Sequence, residues 1–451
     1  MSASRQDIED FNDVFSEMVR LQNLLNESPQ AYTSDFARPI DMLGATLNAP
    51  KDIFEKDKDS RRFQLHLSLK AQNKIRDIAV RHIDANKLRG FVSLGEFYGD
   101  VRDAIYIHIR RGKSFDDKGC SQIVALAIKR SKFKMKKKRY FFPFNIPGME
   151  GRCAFDIGSV SIYEKDAILS KVRKENKEVI LGGDVNFYNA FVSFEISDCS
   201  DKISYERALN ISSFIFGLIQ VFTYAYKLPS PHITLGCNPR SNTTKHYVWF
   251  TEKSGYYLSS SWKLPIEFDV FWNNLVEDLD SECGLVIKKL VDYAISPINS
   301  ECLADRLIDS ITWFGDATRD DNHHAQVVKL VTSMERLVTF SDEKKDAHIT
   351  KKFCDRVSSL IAIYYGDVNG WMENARQIYK LRSELVHGSM AIHKSYRSSL
   401  NFNSFEMVSH VIFSACIGFS KIGLQTTKYE KQLEEMYKAI KECCLEKENL
   451  V

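Results

Sequence analysis

Residues 378–389, Ile-Tyr-Lys-Leu-Arg-Ser-Glu-Leu-Val-His-Gly-Ser, have the pattern of a helix that is about to end. They close a segment, 370–387, whose apolar residues follow one helix face. Gly388 can adopt the left-handed conformation that often follows the last helical turn. Arg382 precedes His387 by five positions. The stretch therefore predicts a helix with an arginine and a histidine near its C-terminal end.

Helical periodicity extends on both sides of this stretch and dominates the chain beyond Pro265. We predict helices near 266–294, 303–314, 322–340, 347–365, 370–387, 404–424 and 427–447. The stretch Ser296-Pro-Ile-Asn-Ser300 is the best break, because proline and asparagine disfavour a continuing helix. Residues 299–451 are therefore expected to form an all-α helical-bundle domain.

The first 298 residues have a different pattern. An amphipathic helix is predicted over 5–26, and two-residue alternation or short apolar runs then predict strands near 63–69, 104–109, 123–128, 191–196, 233–235 and 247–250. The expected fold class is α+β: a strand-rich, mixed N-terminal recognition or regulatory domain over 1–298, followed by the helical domain over 299–451. The turn at Gly182-Gly-Asp184 lacks the residues of a phosphate-binding loop.

Residues 208–226 form an uncharged stretch of nineteen residues, close to the roughly 20 that span a bilayer. Polar residues such as Asn210 and Gln220 interrupt it, and polar groups are costly in lipid. We therefore predict a buried helix of a protein that does not enter the membrane, with a membrane-associated sensor as the alternative. The N-terminus lacks a signal-peptide core, so a cytoplasmic location is expected.

Positive charge is concentrated in one place. The chain has 451 residues and a net charge of +3, and its 44% hydrophobic and 27% charged residues are typical of globular proteins. Residues 129–139 contain eight basic residues and no acidic one, so the rest of the chain carries −5. We call these eight residues the basic strip: Lys129, Arg130, Lys132, Lys134, Lys136, Lys137, Lys138 and Arg139. The strip predicts RNA binding or, equally well, a solvated surface.

Metal and cofactor sites are not predicted. The ten cysteines have no Cys-x-x-Cys spacing. The residues Asp316, Asp320, Asp321, His323 and His324 are metal-ligand types, but residues 320–322 precede a helical pattern and are better explained as its N-cap.

Arg382 and His387 have the chemistry needed to cleave RNA. Histidine titrates near neutral pH and can exchange protons with ribose oxygens, and arginine can bind a phosphate through two N–H groups. Five helical steps of about 100° leave the two side chains roughly 140° apart around the axis. They would converge if the helix unwound at its end or if a second copy supplied a second pair. Alternatively, Arg382 pairs with a carboxylate such as Glu384 and His387 is an ordinary cap residue.

The stretch Leu381-Arg-Ser-Glu-Leu-Val-His-Gly388 resembles the Apea-like branch of the HEPN superfamily (higher eukaryotes and prokaryotes nucleotide-binding). Arg382, Ser383 and His387 match the arginine, polar residue and histidine that characterise this superfamily. Further upstream, the segments Trp313–Ala317, Lys329–Val338 and Arg356–Leu360 also resemble this branch. The resemblance covers residues 300–451, about a third of the chain.

The resemblance implies a metal-independent endoribonuclease of prokaryotic antiviral defence or growth arrest, without a cofactor. Arg382, Ser383 and His387 would be catalytic, with Arg382 on the scissile phosphate. Glu335 would support the site from behind these residues; alternatively, it has no functional role and is only the sequence neighbour of Arg336. Cleavage would leave a 2′,3′-cyclic phosphate. The implied partners are an RNA substrate such as tRNA, a viral trigger protein and further copies of the chain in a homodimer or higher homo-oligomer. A non-catalytic HEPN protein that binds a nucleotide or a partner is the alternative.

Overall fold

The chain is mixed α+β and mostly helical in the residues that the structure describes. The structure is a computed structural model that describes residues 3–27, 67–145, 154–171, 188–227, 234–235, 244–251, 255–262, 268–298, 300–320, 322–340, 343, 348–390 and 400–448. Its contacts divide the chain into two compact units, Met1–Lys138 with Ser197–Glu206 (unit 1), and Arg139–Ile196 with Arg207–Val451 (unit 2). This division does not follow the boundary at 298/299 expected from the sequence.

Helices and strands are numbered here in chain order. The helices are α1 (Arg5–Glu27), α2 (Leu69–Ala85), α3 (Leu94–Arg110), α4 (Asp117–Lys134), α5 (Lys165–Lys171), α6 (Asp201–Ala225), α7 (Phe268–Asp278), α8 (Glu282–Ile295), α9 (Leu303–Thr318), α10 (His323–Val338), α11 (Ile349–Tyr365), α12 (Val368–Val386), α13 (Ser404–Ile422) and α14 (Glu430–Glu448). The strands are β1 (Lys136–Asn145), β2 (Phe155–Ile157), β3 (Val160–Glu164), β4 (Ala190–Cys199), β5 (Thr234–Leu235), β6 (Thr244–Thr251) and β7 (Gly255–Trp262).

Unit 1 is built mainly from helices, so the strand-rich N-terminal domain predicted from the sequence is wrong over residues 67–134. The predicted strands at 104–109 and 123–128 lie inside α3 and α4. A reciprocal capping box between Ser93 and Glu96 begins α3, and the Asp116 carboxylate accepts the Gly119 N–H at 2.7 Å to begin α4. Several adjacent residues of both helices are buried, and such short apolar runs do not distinguish a helix from a strand. Leu69 of the predicted 63–69 strand begins α2, and residues 63–66 lie outside the described residues.

Two sheets are present in the described residues. The larger one has the strand order β2-β3-β4-β1-β5, with antiparallel registers such as Ile162 opposite Val192 and Phe144 opposite Leu235. Strands β6 and β7 form an antiparallel pair from Thr244 opposite Trp262 to Thr251 opposite Gly255. The predicted strands at 191–196, 234–235 and 247–250 are confirmed, while Ile233 and the turn at 182–184 lie outside the described residues.

The helical part of unit 2 agrees closely with the sequence prediction. All seven predicted helical segments are present, the first being divided into α7 and α8, and the break near 296–300 separates α8 from α9. Glycines permit close packing between α6 and α9, because a Cβ on Gly217 would lie 2.3 Å from the Ile311 carbonyl oxygen. Helix α6 contains the uncharged stretch near 208–226 and is largely buried. Helices α6 and α13 are both long and apolar enough to cross a membrane, but 72% and 56% of their most apolar windows are buried inside the protein.

Candidate functional site

The C-terminal end of α12 has the predicted glycine cap. The helix is regular from Val368 to Val386, and His387 is its C-cap with φ −86° and ψ 2°. Gly388 has φ +73°, and the Ser389 N–H donates to the Glu384 carbonyl at 3.0 Å. This hydrogen bond joins the residue after the glycine to the last turn, as in a Schellman cap. The left-handed glycine predicted from the sequence is confirmed.

Helix α10 provides the acidic partner of Arg382. The Arg382 guanidinium donates from Nη2 to Glu335 Oε2 at 3.2 Å and lies 6.0 Å from the centre of the Tyr379 ring. Its Nε atom is buried and has no hydrogen-bond partner in the part of the chain that the structure describes. The structure therefore joins Arg382 to Glu335 and not to Glu384, which lies 3.9 Å from Lys380.

The ion pair is partly buried between α10 and α12. Burial raises the pKa of Glu335, although the charge of Arg382 and a hydrogen bond with Tyr379 act in the opposite direction. Burial also raises the pKa of Tyr379, and the neighbouring Glu335 adds to this rise. The Tyr379 ring packs against Phe353 of α11 with ring centres 4.7 Å apart. Arg382 is thus held in a defined position by a carboxylate and an aromatic wall.

Arg382 and His387 do not converge within one chain. His387 is exposed, and its backbone N–H donates to the Ser383 carbonyl at 2.9 Å, which continues the helical hydrogen-bond pattern up to the cap. The helix does not unwind before His387, so the two side chains keep the separation of roughly 140° that five regular helical steps give. Ser383 is half-buried on the same last turns. One copy of the chain therefore presents the two groups on different sides of the helix end.

Arg336, the residue after Glu335, lines an acidic groove that was not predicted from the sequence. It has a volume of about 640 Å³ and is lined by Ile298, Ser300, Glu301, Asp305, Asp309, Trp313 and Arg336. The neighbour Arg336 pairs here with Asp309 at 2.5 Å and with Glu301 at 3.5 Å, not with Glu335. Burial raises the pKa of Asp309 despite the charge of Arg336, and Asp305 and Glu301 add to the rise. The four-residue spacing of Glu301, Asp305 and Asp309 was the signal that could have identified this lining.

At least four of the eight residues of the basic strip pair with carboxylates. Arg130 lies 3.0 Å from Asp103 and Lys134 lies 2.6 Å from Asp100. Lys138 pairs with Asp201, and Arg139 pairs with Glu195 at 2.6 Å. Lys129 and Lys132 are exposed on α4, and Lys136 lies 5.4 Å from the centre of the Phe133 ring. Lys137 is exposed at the start of β1.

The acidic residues before α10 and the two histidines that begin it belong to a capped helix N-terminus. The Asn322 side chain is the N-cap and accepts the N–H groups of His324 and Ala325, which confirms the predicted cap. Asp320 pairs with Lys329 at 2.8 Å and Asp316 pairs with Arg319. Asp321 lies outside the described residues. Among the residues that the structure describes, no three His, Cys, Asp or Glu side chains are grouped to hold a metal ion.

No family model, curated protein or solved structure matches the chain. The resemblance to the HEPN superfamily stays a prediction from the sequence, based above all on Arg382, Ser383 and His387. The geometry of α10 and α12 is the basis for assigning a function.

Proposed function

We propose that the chain is a metal-independent endoribonuclease whose site lies at the C-terminal end of α12. The observation that carries the proposal is that one helix end holds both a positioned cation and an exposed imidazole. Arg382 is one-quarter exposed and held against Glu335, while His387 is exposed at the helix end. These are the two groups needed to bind a phosphate and to transfer protons near neutral pH.

In the proposed reaction, His387 in its neutral form accepts the proton of a ribose 2′-hydroxyl. The 2′-oxygen forms a bond with phosphorus while the bond from phosphorus to the 5′-oxygen breaks. A protonated imidazole donates its proton to the departing 5′-oxygen. The products are a 2′,3′-cyclic phosphate and a free 5′-hydroxyl. Arg382 stabilises the negative charge that develops on the phosphate oxygens, and Ser383 assists in orienting the phosphate.

The reaction requires two copies of the chain. Because Arg382 and His387 lie on different sides of a regular helix end, the proposed site takes the two groups from different copies. We propose a homodimer in which the ends of two α12 helices face each other and each phosphate contacts the arginine of one copy and the histidine of the other. The dyad of such a dimer would form two equivalent clefts, each with one arginine and one histidine that serves both proton transfers in turn.

The proposed role is growth arrest or antiviral defence in a prokaryotic cytoplasm, with an RNA such as tRNA as substrate and a viral protein as trigger. This part rests on the similarity to the HEPN superfamily. The N-terminal half would then control access to the nuclease, because uncontrolled RNA cleavage would harm the cell that makes it.

The decisive experiment incubates purified full-length protein with RNA in EDTA and sequences the RNA ends. We expect cyclic phosphate ends at defined positions with the parent protein and none with His387→Ala. The control His348→Ala removes another exposed histidine of unit 2 and should cleave like the parent. Equal RNA cleavage by the parent and the His387→Ala variant would refute the proposal.

Complementation in trans tests the shared site. Arg382→Ala and His387→Ala homodimers should each be inactive, whereas mixing the two should restore up to half of the parent activity per mixed dimer. Restoration is expected because one of the two clefts in a mixed dimer retains both an arginine and a histidine. Failure to restore activity in dimers shown to exchange subunits would exclude a shared cleft.

A second candidate function is favoured by the ion pair itself. Because Glu335 already neutralises Arg382, the helix end could bind a nucleotide or protein partner without catalysis. In that case the RNA remains intact with every variant. Binding of a nucleotide would then weaken in Arg382→Ala and be insensitive to His387→Ala.

A further inference from the structure

We propose that unit 1 contains a binding site for single-stranded RNA, centred on Phe133 and the exposed lysines of the basic strip. The proposal concerns binding by a different compact unit from the one that holds Arg382 and His387. It depends on binding measurements alone, so its failure and the failure of the ribonuclease proposal are distinguishable.

The contacts of six of the eight residues of the basic strip divide these six into two sets. Arg130, Lys134 and Lys138 have carboxylate partners within unit 1 and serve its packing. Asp100, the partner of Lys134, is fully buried and also accepts a hydrogen bond from Ser131 at 2.6 Å. These basic residues therefore compensate buried or nearby carboxylates and contribute little net positive charge.

The second set faces solvent around an aromatic ring. Lys129, Lys132 and Lys136 are exposed, and none of them forms an ion pair with a carboxylate in the described part of unit 1. The charge of Lys136 nevertheless contributes to the lowered pKa of Asp201, the carboxylate that pairs with Lys138. Phe133 is 77% exposed, the highest value among the large apolar side chains that the structure describes. Lys136 lies 5.4 Å from the centre of its ring. An exposed ring with lysines around it combines a stacking surface for bases with cations for phosphates.

The site continues along α4. One face of the helix carries, over about 16 Å, four side chains at successive steps of four, three and four residues: Gln122, Leu126, Lys129 and Phe133. A groove between α3 and α4 of about 310 Å³ begins at this face, and its lining includes Gln122, Leu126, Arg111 and Lys113 and no carboxylate. Lys113 donates to Gln122 at 2.7 Å, which holds its positive charge at the groove. The positive face therefore extends from Lys136 to the α3–α4 turn.

The pattern favours single-stranded RNA over a membrane surface. A helix that lies in a lipid interface needs a wide apolar face, whereas α4 exposes one large apolar side chain among lysines. Stacking on an aromatic ring requires unpaired bases, which single strands offer. The phosphate groups of a single strand can then follow the lysines along the helix.

The test measures binding of a short, labelled, single-stranded RNA by fluorescence anisotropy in EDTA. Full-length His387→Ala protein is the parent, so the RNA stays intact. Phe133→Leu should weaken binding about tenfold, while Phe133→Trp should keep it within about twofold, because the tryptophan retains a stacking ring. Replacing Lys129, Lys132 and Lys136 with alanine should lower the slope of log affinity against log salt by about 2.

The matched control replaces Lys428, Lys431 and Lys438, three exposed lysines in and before α14 of unit 2, with alanine. It makes the same change of net charge and should leave the RNA affinity and salt slope unchanged. Unchanged RNA binding in both Phe133→Leu and the first triple variant would overturn the proposal. It would also be overturned if these variants lost binding to vesicles containing anionic lipid while their affinity for RNA stayed the same.

Discussion

Removing either partner of the Arg382–Glu335 pair should have unequal effects on stability. The two side chains are 24% and 21% exposed and share one contact of 3.2 Å. Burial raises the pKa of Glu335 above its ordinary value of 4.5 even with Arg382 beside it. Its ionised form is therefore disfavoured by folding, and Arg382 reduces this penalty. Arg382→Met leaves the carboxylate without its partner, whereas Glu335→Gln removes the disfavoured charge itself.

The expected magnitudes follow from this partial burial. Exposed ion pairs contribute about 0–1 kcal/mol, and breaking a fully buried pair costs about 3–5 kcal/mol. We expect Arg382→Met to lower the free energy of unfolding by about 2 kcal/mol, and Glu335→Gln to change it by less than about 1 kcal/mol. The double variant should recover about 1 kcal/mol of the loss. Methionine keeps most of the apolar stem against Tyr379, so lost packing adds little.

The pH dependence has a definite sign. A carboxyl group whose pKa is raised by folding binds protons more tightly in the folded state, so stability falls as pH rises from 4.5 through the folded pKa. This fall should be steeper in Arg382→Met and absent in Glu335→Gln. Hydrogen exchange of α12 peptides, corrected for the intrinsic exchange rates, measures the local opening free energy at each pH. A loss in Glu335→Gln as large as in Arg382→Met would refute the reasoning.

Three further outcomes test the described packing. Gly388→Ala should lower the free energy of unfolding, measured by urea denaturation, by about 1–2 kcal/mol. The reason is backbone strain at φ +73° and not a clash, because no atom lies within 4 Å of the added Cβ. An unchanged denaturation midpoint would contradict the cap. Gly217→Ala should lower the free energy of unfolding, measured by thermal denaturation, by about 3 kcal/mol or more, because the added Cβ would lie 2.3 Å from the Ile311 carbonyl oxygen. An unchanged stability would contradict the close contact between α6 and α9. For Asp7, burial raises the pKa, but hydrogen bonds from Ser4 and Arg81 outweigh it and lower the pKa from 3.8 to about 2. The ionised Asp7 side chain should therefore contribute about 2 kcal/mol to the free energy of unfolding above pH 4, and this contribution should be lost as pH falls through 2. Acid denaturation followed by circular dichroism should lack this part of the pH dependence in Asp7→Asn.

Local signals in the sequence were sufficient for the C-terminal helices. The apolar stripe of α14, the cap at Asn322 and the glycine after His387 each act within a few residues, so the positions of α9–α14 could be predicted. Helix α1 could also be predicted from its apolar stripe, whereas α3 and α4 could not, because each of them buries adjacent residues, such as Ile105 and Tyr106 in α3 and Ile123 and Val124 in α4. Alternation over six residues then indicated strands that do not form.

For the candidate sites, the sequence by itself determined which chemical groups are available: an arginine and a histidine at one helix end, and a basic strip near residue 134. Only the tertiary structure decided their partners. Glu335 reaches Arg382 from a helix 47 residues earlier in the chain, and Asp100 reaches Lys134 from 34 residues earlier. The physical reason is that an ion pair depends on distance in space, which helix packing sets, whereas a cap depends on neighbours along the chain.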